Sequence, residues 1–379
     1  MKIVLFANTD WYLYNFRRSL AQALVHAGND VLLLSPPGPY GTKLIGLGFR
    51  WEALPMDRRS LNPWSEMRLL IRLWSLFRRE KPDLVHGFTI KAAVYGSLAA
   101  RVAGVSARVN AVAGMGYVFT SDDAKARVLR PLVRVLLALA MGGKQARLVL
   151  QNPDDVQQFV DAGLVSRDAI RLIPSSGVDC ARFTVDSNTR PKPDQPLRVL
   201  LAARLLKQKG LYEFAEASRL LKLRGLNVVC ILAGTPDAGN PDSVSEATVL
   251  HWVELGLVEW LGHVDDMVPL LQSCNVMALP SYYGEGLPRS LIEAGASGLA
   301  VVTTDMPGCR QAIEPNRTGL LIPPRDAGAL AEALEHLDRD RAFTAQLGSE
   351  GRQRVLAEFD EQIVIFKTLE IYKEVVSSV

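Results

Sequence analysis

The densest group of chemically useful side chains lies in Pro280-Ser-Tyr-Tyr-Gly-Glu-Gly-Leu-Pro-Arg-Ser-Leu-Ile-Glu293. A strand-like run, Val276–Leu279, precedes it and Pro288 suits a first helical turn, so the segment reads as strand, glycine loop and helix N-terminus. Backbone N–H groups and the positive end of a helix dipole favour an anion there, and Gly284 and Gly286 let a phosphate approach the main chain. Were the helix continuous to Glu293, the span from Glu285 would be roughly 12 Å at about 1.5 Å per residue. That separation suits two hydroxylated rings joined through a diphosphate, one carboxylate holding each. The same residues serve a plain structural reading equally well, with Glu285 as a helix cap and Glu293 as a solvated carboxylate. A second cluster, Ala203-Arg204-Leu-Leu-Lys-Gln-Lys209-Gly210, follows the run Arg198–Ala202. Arg204 suits bidentate contact with phosphate oxygens and Lys209 acts as a point charge, which together meet the charge that gathers on a departing diphosphate. A solvated basic loop is the ordinary alternative, and the place after a strand favours the functional one.

Such groups need a scaffold that brings strand ends together. The chain has 379 residues, 48% hydrophobic and 22% charged, which is enough apolar material for two domains and excludes disorder or a disulfide-stapled module. Runs largely apolar rather than alternating recur at Ile3–Ala7, Val31–Leu34, Leu84–His86, Arg108–Val112 and Leu148–Leu150, and again at Arg198–Ala202, Val228–Ala233, Val276–Leu279 and Ala300–Thr303. They suit parallel strands covered on both faces. Segments between them, such as Tyr212–Arg224 and Asp326–His336, carry apolar residues at helical spacing. The expectation is an α/β protein of two doubly wound, Rossmann-like domains facing across a cleft, with ligands beyond the carboxyl ends of the strands. Residues 1–176 form the first domain, 177–196 a Pro- and Ser-rich linker and 197–359 the second, while a helix over about 360–379 packs back on the first. Charge divides likewise: residues 1–180 hold 23 Lys and Arg against 14 Asp and Glu, and the rest hold 20 against 26.

Several other chemistries lack their signatures. Neither a GxxxxGK[ST] loop nor a GxGxxG fingerprint occurs, since Asn8-Thr-Asp-Trp-Tyr-Leu-Tyr-Asn-Phe16 follows the first run. Cys180, Cys230, Cys274 and Cys309 are too far apart for a zinc site and read as buried thiols of a reducing compartment. Asp338-Arg-Asp340 has the DxD spacing but sits in a charged helical stretch, so neither a metal nor a cofactor is expected. The N-terminal apolar run is too short for a signal peptide, and no run approaches a membrane span, which places the protein in the cytoplasm.

The combination of Glu285-x7-Glu293, the Arg204–Lys209 pair, Leu261-Gly-His-Val264, Thr318-Gly-Leu-Leu-Ile322 and Gly177-Val-Asp179 with Phe183 resembles the family-4 retaining glycosyltransferases of the GT-B architecture over nearly the whole chain. It is nearest to bacterial enzymes that add an N-acetylhexosamine to a polyprenyl-diphosphate-linked sugar. The resemblance implies that Glu285 meets the donor sugar, the Gly286 and Leu287 amides its diphosphate or sugar oxygens, and Glu293 the ribose hydroxyls. Arg204 and Lys209 would neutralise the leaving group, and the backbone at His263 and Val264 would read the base. Retention without a metal follows. Two departures stand out: Ala113 replaces a family histidine, and the aromatic run ending at Phe16 replaces a glycine-rich loop.

In the first half, Asn15 and Arg17 open a helix after the first strand, and His86 and Lys91 flank the end of another, so all four are candidates for an acceptor diphosphate. Pro63–Arg79, with Trp64, Trp74 and Phe77 among arginines, and Lys125–Arg147 could meet an anionic membrane surface at the inner face of the plasma membrane, or could be core-facing helices with basic rims. The expected activity is transfer of a hexose or N-acetylhexosamine from a nucleotide sugar, expected to be UDP-linked, to a lipid-linked or envelope glycan. No nucleic acid is expected as partner. The competing readings are a UDP-N-acetylhexosamine 2-epimerase-like enzyme and a non-catalytic nucleotide-sugar-binding protein.

Overall fold

The computed structural model describes residues 1–377 apart from 58–61, 113–123, 187 and 238, and leaves aside the side chains of 124–130 and 132. The stretch around Ala113 and the side chains of Lys125, Arg127 and Arg130 therefore lie outside the described residues. Two compact units form, one from Met1–Ser176 with Gln362–Val379 and the other from Gly177–Glu361.

The first unit holds a seven-stranded sheet of β1 (Lys2–Phe6), β2 (Asp30–Ser35), β3 (Arg50–Ala53), β4 (Leu84–Phe88), β5 (Ala107–Ala111), β6 (Ala146–Leu150) and β7 (Ile170–Leu172). Its order is β3-β2-β1-β4-β5-β6-β7, and every pairing is parallel. The second unit holds β8 (Leu197–Ala202), β9 (Val228–Ala233), β10 (Glu259–Trp260), β11 (Val276–Leu279), β12 (Ala300–Thr304) and β13 (Gly319–Ile322), in the order β10-β9-β8-β11-β12-β13, again all parallel.

Continuous apolar runs become these strands because both faces are buried. Along β1, Ile3 and Leu5 join one core while Val4 and Phe6 join another. In β11, Val276 and Ala278 face one core and Met277 and Leu279 the opposite one. Side chains alternate across a strand, so apolar residues at every position require cover on both sides.

Residues 177–196 are laid against the second unit. Val178 bridges to Asp360, Phe183 is buried, and Arg190 donates to the carbonyls of Ser297 and Gly298. The helix Glu361–Ser377 belongs for most of its length to the first unit, where Tyr372 and Val375 join the core of β1, and Glu374 pairs with Arg147 at 2.8 Å and also with Arg171.

In each sheet the strand order reverses once, between β1 and β4 in the first unit and between β8 and β11 in the second. At such a switch point neighbouring connections leave in opposite directions, and the carboxyl ends of the two strands border a crevice suited to a ligand.

Candidate active site

The two sequence clusters meet at the second unit's switch point. The basic turn leaves β8 and the glycine loop leaves β11, and the strands are neighbours, with Val199 opposite Val276. The Tyr282 amide and the Ser281 hydroxyl both donate to the Gln208 carbonyl at 3.0 Å. Gly210 has φ +77°, and a Cβ there would lie 2.2 Å from the Pro280 carbonyl oxygen. Only glycine satisfies both the left-handed backbone and this approach.

This stitching sets Lys209 Nζ 2.5 Å from Glu285 Oε2, with 18% and 16% of the two side chains exposed. Partial shielding strengthens such a pair relative to one in bulk water and fixes both charges beside the switch point. Leu287 anchors the loop in the core below at 5% exposure. Arg204 is placed differently: 65% of its side chain is exposed, and it pairs at 2.7 Å with Asp237 from the loop after β9.

The helix begins at Arg289, with Pro288 in the cap position, later than the sequence suggests. Glu285 therefore sits in the loop, and only the steps from Arg289 to Glu293 are helical, about 6 Å of rise. The continuous helical span of the sequence reading is not what separates the carboxylates. The cap position is held by Pro288, which makes no side-chain bond to the helix, and Glu285 lies three residues before it. Glu293, with 16% of its side chain exposed, accepts from Arg289 at 2.7 Å. Burial pushes its carboxyl pKa up, and Arg289 opposes the shift.

His263 is exposed, 3.3 Å from Asp265, while Val264 packs on the core. Their loop joins the same edge through the Gly234 amide, which donates to Gly262 at 2.7 Å. Loops after β10, β9, β8 and β11 thus form one rim. Two further loops complete it that the sequence reading did not single out. After β12, the Glu285 amide donates to the Pro307 carbonyl at 3.1 Å, and a Cβ on Gly308 (φ +82°) would stand 2.3 Å from the carbonyl oxygens of Glu285 and Gly286. After β13, the Arg325 guanidinium lies 4.4 Å from the Tyr282 ring centre. The Pro307-Gly308 pair directly after a strand-like run was the available signal.

Asp340 caps the helix Arg341–Glu358 through the Phe343 amide, which gives the DxD spacing a structural use. Among the described residues no three His, Cys, Asp or Glu side chains gather as a metal site would need. The four cysteines are buried and unpaired with one another.

The first unit departs from expectation. The chain is already helical from Asp10 and passes through a π-helical turn over Leu13–Arg17, so Asn15 and Arg17 lie within a helix rather than at its mouth. Arg17 is buried, donates to Tyr12 Oη at 3.0 Å and lies 4.4 Å from the Phe88 ring centre. His86 lies inside β4, which runs on to Phe88, and its Nδ1 is 2.6 Å from Tyr372 Oη. Burial, with the Arg17 charge adding to it, holds its pKa well below the usual histidine value. Lys91 pairs with Glu66 at 2.7 Å and donates to the Asp57 carbonyl. Asn15 donates to the Trp11 carbonyl.

Two parallel α/β units, one with an acid and a cation joined at its switch point, are the arrangement shared by proteins of GT-B architecture. Residues 2–149 match the family described as "Glycosyl transferase 4-like" and residues 183–354 the one described as "Glycosyl transferases group 1", and the chain belongs to these glycosyltransferases. It is 28% identical, over the full length of both chains, to the N,N'-diacetylbacillosaminyl-diphospho-undecaprenol alpha-1,3-N-acetylgalactosaminyltransferase of Campylobacter jejuni. It is 26% identical to the UDP-Gal:alpha-D-GlcNAc-diphosphoundecaprenol alpha-1,3-galactosyltransferase of Escherichia coli, across 85% of this chain and 83% of that one. The fold is shared with Anabaena HepE, solved in complex with UDP, at a TM-score of 0.78 and 20% identity over all of both chains.

Proposed function

We propose that the protein moves an N-acetylhexosamine or hexose, with retention and without a metal, from a UDP-linked donor to a sugar carried on a polyprenyl diphosphate at a membrane surface. The observation that carries this reading is the Lys209–Glu285 pair, held between two loops at the second unit's switch point. The relatives' acceptors, both diphospho-undecaprenol-linked, support the lipid carrier, and the UDP in HepE supports the base.

In this reading the second unit is the donor domain. The bond between the anomeric carbon and the diphosphate breaks, and its electron pair goes to the diphosphate oxygen. Lys209, with Arg204 released from Asp237, stabilises that charge as it develops. The acceptor hydroxyl attacks on the face the diphosphate leaves, and its proton passes to the departing phosphate. Glu285 orients the donor sugar and stabilises positive charge at the reacting carbon. Glu293 takes the ribose hydroxyls, Gly286 and Leu287 line the diphosphate, and the 263–264 backbone meets the base. The first unit takes the acceptor.

Labelled UDP-N-acetylhexosamine incubated with and without a polyprenyl-diphosphate-linked sugar tests the proposal. Label should enter the lipid fraction only when acceptor is present. Glu285→Ala should abolish transfer while UDP affinity stays within a few-fold, because UDP lacks the sugar. Unimpaired turnover of that variant, or a rearranged free sugar formed without acceptor, overturns the assignment.

A further inference from the structure

The helix Pro63–Glu80 of the first unit carries two apolar faces where one would suffice. Leu69, Leu73, Leu76 and Phe77 are buried and pack in the core beside β1 and β4. On the other side, Trp64 is 77% exposed, Met67 53%, Ile71 55% and Trp74 42%. At about 100° per residue these four fall within a sector of roughly 80° opposite the buried set. They form one stripe, and no core requirement of the unit accounts for it.

Its setting is basic. Arg68, Arg72 and Arg78 are exposed, Arg78 within this sector, Arg68 about 40° and Arg72 about 80° past its edge, and none takes part in an ion pair among the described residues. Of the helix's two acids, Glu66 points the other way and is neutralised by Lys91, and Glu80 at its end pairs with Lys2, Arg50 and Arg79. Arg79 is engaged by Glu52 and Glu80. Among the described residues the exposed face thus presents two tryptophans and two other apolar side chains, with positive charge outside any ion pair and no carboxylate of the helix. An indole seats well at a water–lipid boundary, with its ring among acyl chains and its N–H toward the headgroups.

We infer that the outer face of the helix Pro63–Glu80 is a docking surface for an anionic lipid bilayer. Trp64, Met67, Ile71 and Trp74 enter the headgroup boundary, and Arg68, Arg72 and Arg78 meet lipid phosphates. The geometry does not depend on the sugar-transfer reading, but the purpose does: docking brings the first unit to a carrier that cannot leave the membrane.

The full-length protein would be sedimented with vesicles of phosphatidylglycerol and phosphatidylcholine, and with vesicles of phosphatidylcholine alone. Binding should appear with the anionic vesicles and weaken as salt rises. Trp64→Ser with Trp74→Ser should lower it about tenfold or more, since two large apolar groups leave the boundary. Arg68→Gln with Arg72→Gln should remove most of the preference for anionic lipid. Transfer to a short-chain, water-soluble acceptor should be unchanged in both variants, while transfer to an acceptor embedded in vesicles falls. Because all of these residues are exposed, circular dichroism should report native helix content. Equal binding to neutral vesicles, no binding by the wild type, or a dimer in analytical ultracentrifugation that the tryptophan substitutions dissolve would each overturn the proposal. Vesicle binding without any transfer would instead remove the functional reading and leave the surface standing.

Discussion

Replacing Gly308 by alanine puts a methyl group where the glycine loop has its own backbone. The Cβ would lie 2.3 Å from the carbonyl oxygens of Glu285 and Gly286. Carbon and oxygen of this kind approach to about 3.3 Å at closest, so the loop must retreat by about 1 Å. A displacement of that size at a reacting group costs on the order of 100-fold in rate. Alanine also meets the left-handed backbone at φ +82°, which costs about 1–2 kcal/mol. Gly225, in the same unit with φ +72° and nothing within 4 Å of its Cβ position, separates the two effects. Gly225→Ala should lower the melting temperature of the second unit by about 2–8 °C and leave turnover intact. Gly308→Ala should show a similar or larger drop and, at saturating donor, a fall in kcat of roughly 100-fold that exceeds its loss of UDP affinity. The assay is initial-rate transfer of labelled sugar alongside calorimetric UDP titration and thermal unfolding. Should Gly308→Ala turn over as Gly225→Ala does, the loop after β12 does not position Glu285 and the proposed geometry of the site fails.

Lys209→Gln removes the cation that faces the glycine loop, and kcat should fall about 10²- to 10³-fold. UDP affinity should fall with it, unlike in Glu285→Ala, and a variant that binds UDP normally would show that Lys209 never meets the diphosphate. His86 gives a prediction on stability instead. Its folded pKa is depressed by burial, so below about pH 6.5 the unfolded chain gains a proton that the folded chain refuses. Stability of the first unit should therefore decline as pH falls from about 6.5 toward 5, by up to about 1.4 kcal/mol per pH unit. His86→Phe should flatten that slope in denaturant titrations, and an unchanged slope would assign the acid sensitivity to other groups.

What could be read from the sequence follows burial. All nine continuous apolar runs are interior strands of the two sheets, and the four strands without such a run, β3, β7, β10 and β13, are the four sheet edges. An edge strand has a neighbour on one side only and is partly exposed: no residue of Arg50–Ala53 is fully buried, and Glu259–Trp260 has only two residues. Parallel strands reveal themselves by apolarity on both faces, so partial exposure erases the signal. At the site, both clusters were legible because each follows a strand-like run, whereas the approach of Lys209 to Glu285 depends on β8 and β11 being neighbours, which only the structure gives. The attachments of Arg204 to Asp237 and of the glycine loop to Pro307 were not legible, because both cross between loops whose spacing carries no periodicity.

The two switch points share a topology and use it differently. In the second unit the loops bring together side chains of opposite charge. In the first, the corresponding place is taken by the chain itself: Arg17 lies against Phe88 and Tyr12, and His86 is bonded to Tyr372 of the last helix. The nearby helix Pro39–Gly46 has its N-terminal amides, Tyr40 and Gly41, already bound by the buried Asp10 carboxylate at 2.7 and 2.9 Å. A helix start satisfied by an internal carboxylate offers little to an external phosphate. Among the described residues Arg17 has no carboxylate partner, and its buried charge lies against two aromatic faces and donates to a phenol instead. The aromatic run that stands in place of a glycine loop after β1 supplies Tyr12 to this arrangement, where its ring packs against Phe16 and Phe88 and its hydroxyl accepts from Arg17.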